Sequence, residues 1–115
     1  MLRLISFGYR AGPPPNATHV FDCRKLKNPH FEPALRDLDG RTPQVQTFVE
    51  HSNGYSDIHV KAKNYVTTEP EAVIAFGCWG GRHRSVACAQ LLALSLRGEG
   101  HEVEVVHREL AEVSA

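Results

Sequence analysis

The chain has few of the features that mark secreted, membrane-spanning or strongly nucleic-acid-binding proteins. It has three cysteines among 115 residues, an odd number without the spacing of a zinc site. Because it also lacks a signal-peptide pattern and a long apolar run, we expect a reduced, cytoplasmic protein that does not span a membrane. Thirteen basic side chains balance thirteen acidic ones, which excludes a strong general attraction to nucleic acid.

The chain contains neither internal repeats nor low-complexity segments, and its length is typical of one domain spanning residues 1–115. Apolar and β-branched runs predict strands, and helical spacing with turn residues at the ends predicts helices. The predicted strands are residues 2–7, 18–22, 72–76 and 103–107, and the predicted helices begin near Thr42, Ser56 and Val86. This order predicts a single three-layer-type α/β domain around a mostly parallel four-stranded sheet.

The segment 77–85 lies between a predicted strand and a predicted helix, and it organises the candidate site. A turn of this kind exposes unpaired backbone N–H groups at the positive end of a helix dipole, which suits an anion. Gly80 and Gly81 allow the backbone to approach a ligand closely. Arg84 can form a two-pronged contact with phosphate. We therefore expect an oxyanion pocket here, for a phosphate group above all.

A second loop follows the predicted strand 18–22 and can face the same pocket, because ligands bind where strands of an α/β sheet end. Its candidate side chains are Asp22, Arg24, Asn28 and His30. The alternative is that Asp22 and Asn28 only cap local backbone and that His30 is solvated. Spacing alone leaves both interpretations open.

Cys78, five intervening residues and Arg84 also match the spacing of cysteine-dependent phosphatases. A thiolate at a helix N-terminus is nucleophilic, an arginine can hold the phosphate oxygens, and Asp22 would be the general acid. The alternative is that Cys78 is a buried strand-end cysteine that behaves as a small hydrophobic residue. The seven histidines are scattered, so we expect no metal, and a nucleotide-hydrolysing P-loop motif is absent.

Several motifs also resemble the C-terminal domain of RapZ, the RNase adaptor protein, also known as the YvcJ family. The resemblance runs from about residue 2 to residue 110 in unbroken order. It is carried by residues 6–9, 20–24, 26–30, 38–40, 77–86 and 107–110. The most specific pair is the loop Gly-Cys-x-Gly-Gly-x-His-Arg-Ser together with Phe-Asp-x-Arg and Asn-Pro-His.

The resemblance implies a domain that is not catalytic and that senses an amino-sugar phosphate, glucosamine-6-phosphate. It implies partners as well, either a small regulatory RNA with its ribonuclease or a kinase of a two-component system. It places His30, Trp79, Gly80 and Arg84 around the anion pocket, with Asp22, His83 and Ser85 nearby.

Two departures limit what the resemblance implies. Full-length family proteins carry an N-terminal P-loop domain that this sequence does not contain, so nucleotide hydrolysis has no basis here. RNA-binding members end in a basic tail, whereas residues 108–115 lean acidic, so RNA is the weaker expectation. A protein partner and assembly with identical copies stay open. We expect no cofactor, and the residues expected to bind the phosphorylated ligand are Asp22, Arg24, His30, Cys78, Trp79, Gly80, Gly81, Arg82, His83, Arg84 and Ser85.

Overall fold

The computed structural model describes residues 1–110 as alternating strands and helices. The strands are β1 (Leu2–Gly8), β2 (His19–Asp22), β3 (Val73–Cys78) and β4 (Val103–His107). The helices are α1 (Pro43–Glu50), α2 (Tyr55–Thr68) and α3 (Arg84–Gly98), and short 3₁₀ turns occupy Tyr9–Ala11 and Pro29–Phe31. The predicted element order is confirmed, and the acidic-leaning tail extends into residues 111–115, outside the described part.

The four strands form one sheet in the order β2-β3-β1-β4, and every neighbouring pair is parallel. Arg3 of β1 is in register with Val73 of β3 and with Glu104 of β4. The α/β fold class is therefore confirmed, and the sheet is entirely parallel. A parallel sheet needs crossover connections between successive strands, which explains the helices between β2 and β3 and between β3 and β4.

The connections of β1 and β3 leave the sheet on opposite faces. Residues 9–18 cross over β3 to reach β2, on the face where Tyr9 and Ala17 pack. α3 crosses over β1 to reach β4 on the other face, which α1 and α2 also cover. Crossovers in opposite directions must use opposite faces if each is right-handed. A crevice therefore opens between the carboxyl ends of β1 and β3, where α/β proteins bind ligands.

The core lies mainly between the sheet and the three helices. Leu4 and Ile74 from the sheet pack with Val49, Leu92 and other helix residues in one large buried cluster. The opposite face carries a smaller cluster around Ile5, Phe7 and Ala75, covered by Tyr9 and Ala17. The layer on that second face is thus an irregular connection instead of a helix.

One local prediction needs correction at the start of α2. The helix begins at Tyr55 with Gly54 as its N-cap, so Ser56 lies inside the first turn and does not cap it. Gly54 has φ of 94°, a left-handed conformation that glycine adopts without strain and that ends the preceding turn sharply. Within residues 1–110, no helix combines the length and apolar character required to cross a bilayer.

Candidate functional site

A cavity of about 690 Å³ opens at the carboxyl ends of the strands, at the crevice between β1 and β3. Three segments build it: the connection after β1, the loop after β2, and the loop between β3 and α3. Its lining residues are Arg10, Asn28, His30, Phe31, Arg36, Asp37, Cys78, Trp79, Gly80, Arg82, His83 and Arg84. The volume suits a small metabolite.

The cavity is strongly cationic although the chain as a whole is neutral. Four arginines and one aspartate line it, a net charge of +3 with the histidines neutral. Within residues 1–110, none of these arginines forms an ion pair with a carboxylate. A cleft lined by one sign of charge concentrates ions of the opposite sign, so this cavity favours anionic ligands.

The two glycines of the loop 79–83 have different conformations and surroundings. Gly81 has φ of 74°, and a Cβ there would lie 2.6 Å from the Gly8 nitrogen and 2.6 Å from Glu109 Cγ. Gly80 has no positive φ, and a Cβ there would meet no atom within 4 Å among the described residues. Gly81 is therefore required by the fold, whereas the space beside Gly80 faces the cavity and is open.

The start of α3 offers unpaired donors beside this loop. No side chain caps the helix, and the N–H groups of residues 84–86 have no acceptor within residues 1–110. Such N–H groups, together with the helix dipole, form an anion-binding arrangement. The N–H of Gly81 instead bonds to Cys78 Sγ at 3.3 Å, so that donor is already occupied.

Arg84 is held rigidly at the edge of the cavity. Its side chain is only 6% exposed, and one terminal nitrogen donates to the carbonyls of Arg24 at 2.6 Å and Leu26 at 3.4 Å. Its Nε is buried without a hydrogen-bond partner among the described residues. An unsatisfied buried donor is costly, and an arginine that retains one beside a cavity is typical of a ligand-binding group.

Cys78 lies at the floor of the cavity and is 2% exposed. Its sulfur is 3.2 Å from Ser85 Oγ, the first-turn hydroxyl of α3. The Gly81 N–H and the Ser85 hydroxyl therefore both contact the Cys78 sulfur. Asp22, the general acid of the phosphatase alternative, does not line the cavity.

Asp22 and Arg24 pair with each other, away from the cavity lining. Arg24 donates to both carboxylate oxygens of Asp22, the shortest contact being 2.7 Å, and its guanidinium stacks 3.9 Å from the centre of the Tyr9 ring. Hydrogen bonds from Arg24 lower the pKa of Asp22, which makes this carboxyl a poor proton donor. Arg24 contributes to the site through its backbone carbonyl, which accepts a hydrogen bond from Arg84.

His30 and His83 occupy different depths of the cavity. His30 is exposed on the 3₁₀ turn that Asn28 caps through its Oδ1. His83 is buried, and its Nε2–H donates to the Arg36 carbonyl at 3.1 Å. His83 therefore fixes the segment that carries Arg36 and Asp37.

The structure thus gathers most of the predicted site residues and separates four from the cavity lining. His30, Cys78, Trp79, Gly80, Arg82, His83 and Arg84 line the cavity, whereas Asp22, Arg24, Gly81 and Ser85 do not. Sequence reasoning missed Arg10, Phe31, Arg36 and Asp37. The strand order would have located Arg10, because it follows β1 directly beside the end of β3. Within residues 1–110, no cluster of three potential metal-binding side chains occurs.

Three histidines that are at least partly buried predict how stability depends on pH. Desolvation lowers the pKa of His59, His83 and His107 in the folded protein. The unfolded chain therefore binds more protons as the pH falls through the ordinary histidine pKa near 6.5, and stability decreases from pH 7.5 to 5.5. The lowered pKa values of the Asp22 and Asp39 carboxyl groups change the stability only at pH values below 5.5. Urea unfolding at both pH values measures the change.

Two histidine variants test whether the partly buried histidines cause this pH dependence of stability. His107 bonds to Ser6 Oγ at 2.7 Å and Gln90 Oε1 at 2.9 Å, and a His107→Gln variant should show a smaller loss on acidification. Replacing exposed His101 with glutamine should leave the loss unchanged. Equal or greater stability at pH 5.5 in the wild type would contradict the expectation.

This chain is similar to a known protein family and to several bacterial proteins. The model of the RapZ C-terminal domain matches residues 1–111. A nucleotide-binding protein of Sphingopyxis alaskensis is 40% identical over 96% of this chain, and one of Thermus thermophilus is 42% identical over 96%. The chain spans only 38% and 43% of those two relatives. With a match over nearly its whole length, this chain belongs to the RapZ C-terminal domain family.

Proposed function

We propose that this domain is a non-catalytic sensor that binds a phosphorylated small molecule, a sugar phosphate such as glucosamine-6-phosphate, and acts as a regulatory adaptor. The phosphate would lie on the N–H groups at the start of α3, beside Gly80 and Arg84. One observation carries the proposal: a buried arginine with an unpaired Nε lines a cationic cavity at a helix N-terminus.

The binding role is favoured over hydrolysis by the position of the candidate acid. A phosphomonoesterase needs a protonated group beside the leaving oxygen, and Asp22 is instead bound to Arg24 outside the cavity. One terminal nitrogen of Arg84 also donates to two main-chain carbonyls, which holds the guanidinium in place as a binding group. The relatives are named nucleotide-binding proteins, but this chain spans about two fifths of their length and lacks the P-loop motif.

Isothermal titration with glucosamine-6-phosphate tests the proposal. Wild-type protein is expected to bind at millimolar ligand or below, and glucosamine without its phosphate is expected to give no saturable heat. We expect the phosphate group to contribute most of the binding free energy, because it alone can accept hydrogen bonds from both the N–H groups of α3 and the Arg84 guanidinium. Absence of heat with the phosphorylated sugar at millimolar concentration would contradict the proposal.

The ligand recovered after the titration separates the two functions. A binding domain returns glucosamine-6-phosphate unchanged. Release of inorganic phosphate that disappears in a Cys78→Ser variant would instead establish the hydrolase. The adaptor role is tested separately, by comparing capture of a candidate protein partner with and without the ligand.

A further inference from the structure

The cavity holds more positive charge than one phosphate requires. Its net charge is +3, whereas a phosphate monoester carries about −1.5 to −2 near pH 7. Glucosamine-6-phosphate also carries an ammonium group, which reduces its net negative charge further. Asp37 is the one carboxylate in the cavity lining among residues 1–110. The surplus of arginines therefore favours a ligand with a second anionic group.

Arg10 is the best placed of the surplus cations. It lies just beyond β1, and its N–H bonds to the carbonyl of Trp79 at 3.0 Å, which anchors it at the start of the glycine loop. Its side chain has no hydrogen bond or ion pair within residues 1–110, which is also true of exposed Arg82, while Arg36 donates its Nε to the His30 carbonyl. Arg10 is preferred over Arg82 because its backbone is bonded to Trp79, the residue that carries the exposed ring. Arg10 and Arg84 thus mark the two ends of the loop 79–84.

Aromatic side chains lie beside these cations. Trp79 is 52% exposed and Phe31 is 77% exposed, and both line the cavity. Both rings are therefore accessible to a ligand that enters the cavity. Their faces suit the apolar face of a sugar ring or a flat base.

We propose that the preferred ligand is a sugar with two separated phosphate groups, one bound at Arg84 and the start of α3, the other at Arg10, with the ring against Trp79. This inference rests on the proposed function, because it assumes that a phosphate binds at the α3 end. It goes further by assigning the second anion and the ring to residues outside the phosphate-binding turn.

Glucose-6-phosphate and glucose-1,6-bisphosphate form a matched pair that differs only in the second phosphate. At fixed ionic strength, titration of the wild type should give at least roughly tenfold tighter binding of the bisphosphate, the worth of one charge-assisted contact. In Arg10→Ala the bisphosphate should lose most of its advantage over the monophosphate, whose own affinity should fall by a smaller factor because the cavity keeps its other three arginines. Arg3→Ala removes an exposed arginine outside the cavity and should change neither ligand.

Trp79→Ala tests the ring contact. It should weaken both sugar ligands by a similar factor and leave inorganic phosphate unchanged. Uridine diphosphate distinguishes a base from a sugar on the aromatic side chains, and tighter binding than the bisphosphate would overturn the sugar assignment. Circular dichroism of each variant confirms that the fold is retained.

The remaining outcomes separate the two proposals. Equal affinity for the monophosphate and the bisphosphate would overturn the second anion site and leave the proposed function intact. An Arg10→Ala variant that keeps the full preference would also overturn it. If neither sugar phosphate nor inorganic phosphate binds, the proposed function itself fails.

Discussion

Replacing Gly80 with alanine should abolish or strongly weaken phosphate binding while leaving the domain as stable as before. The new methyl group would meet no atom within 4 Å in the unliganded protein, and it would occupy the space in which the phosphate is expected to lie. A glycine replaced where the backbone permits alanine often gains about 0.4–1 kcal/mol through the unfolded state. Thermal unfolding should therefore show no loss, and titration should show the lost affinity.

Gly81→Ala is the matched comparison, and the opposite result is expected. Its φ of 74° strains any residue with a Cβ, and that Cβ would contact the backbone of Phe7 and Gly8 at 2.9 Å or less. Strain and overpacking together should cost at least ~2 kcal/mol of stability. If Gly80→Ala binds the ligand as wild type does, the phosphate does not lie beside this glycine.

Arg84 should show the second large effect, on binding and stability together. Arg84→Ala removes the donor for the carbonyls of Arg24 and Leu26, and an unsatisfied buried group costs about 1–3 kcal/mol. It should also cost ~1.5–3 kcal/mol of ligand binding, the worth of hydrogen bonds to a charged group. Urea unfolding and titration measure the two losses separately.

Arg84→Lys separates them further. An ammonium keeps the charge and can donate to one carbonyl, but it cannot reproduce the planar fork. The lysine variant should therefore retain most of the stability and still bind the phosphate more weakly than wild type. Unchanged affinity in both Arg84 variants would exclude this arginine from the site.

The parts of the site that could be predicted are those encoded by consecutive residues. The apolar run before Gly77, the glycines, and the Ala- and Leu-rich run after Ser85 mark a strand, a turn and a helix without further information. The parallel sheet followed from the alternation of elements. These predictions depend on local conformation, which the sequence expresses directly.

Side-chain direction could not be predicted in the same way. Asp22 lies at a strand end, as predicted, but a neighbour two residues away satisfies its carboxylate and turns it from the cavity. Arg10 and Arg36 come from irregular segments without periodicity, and only the strand order brings them to the glycine loop. Their contribution depends on contacts between distant parts of the chain.

The central place of β1 has a consequence for biosynthesis. Arg3 is paired with Val73 and Leu2 with Val103, so β1 has no neighbouring strand until β3 and then β4 have also been synthesised. At about 5–20 residues per second, the wait for β4 lasts roughly 5–20 s. During that time the apolar side chains of β1 are exposed to chaperones and to aggregation.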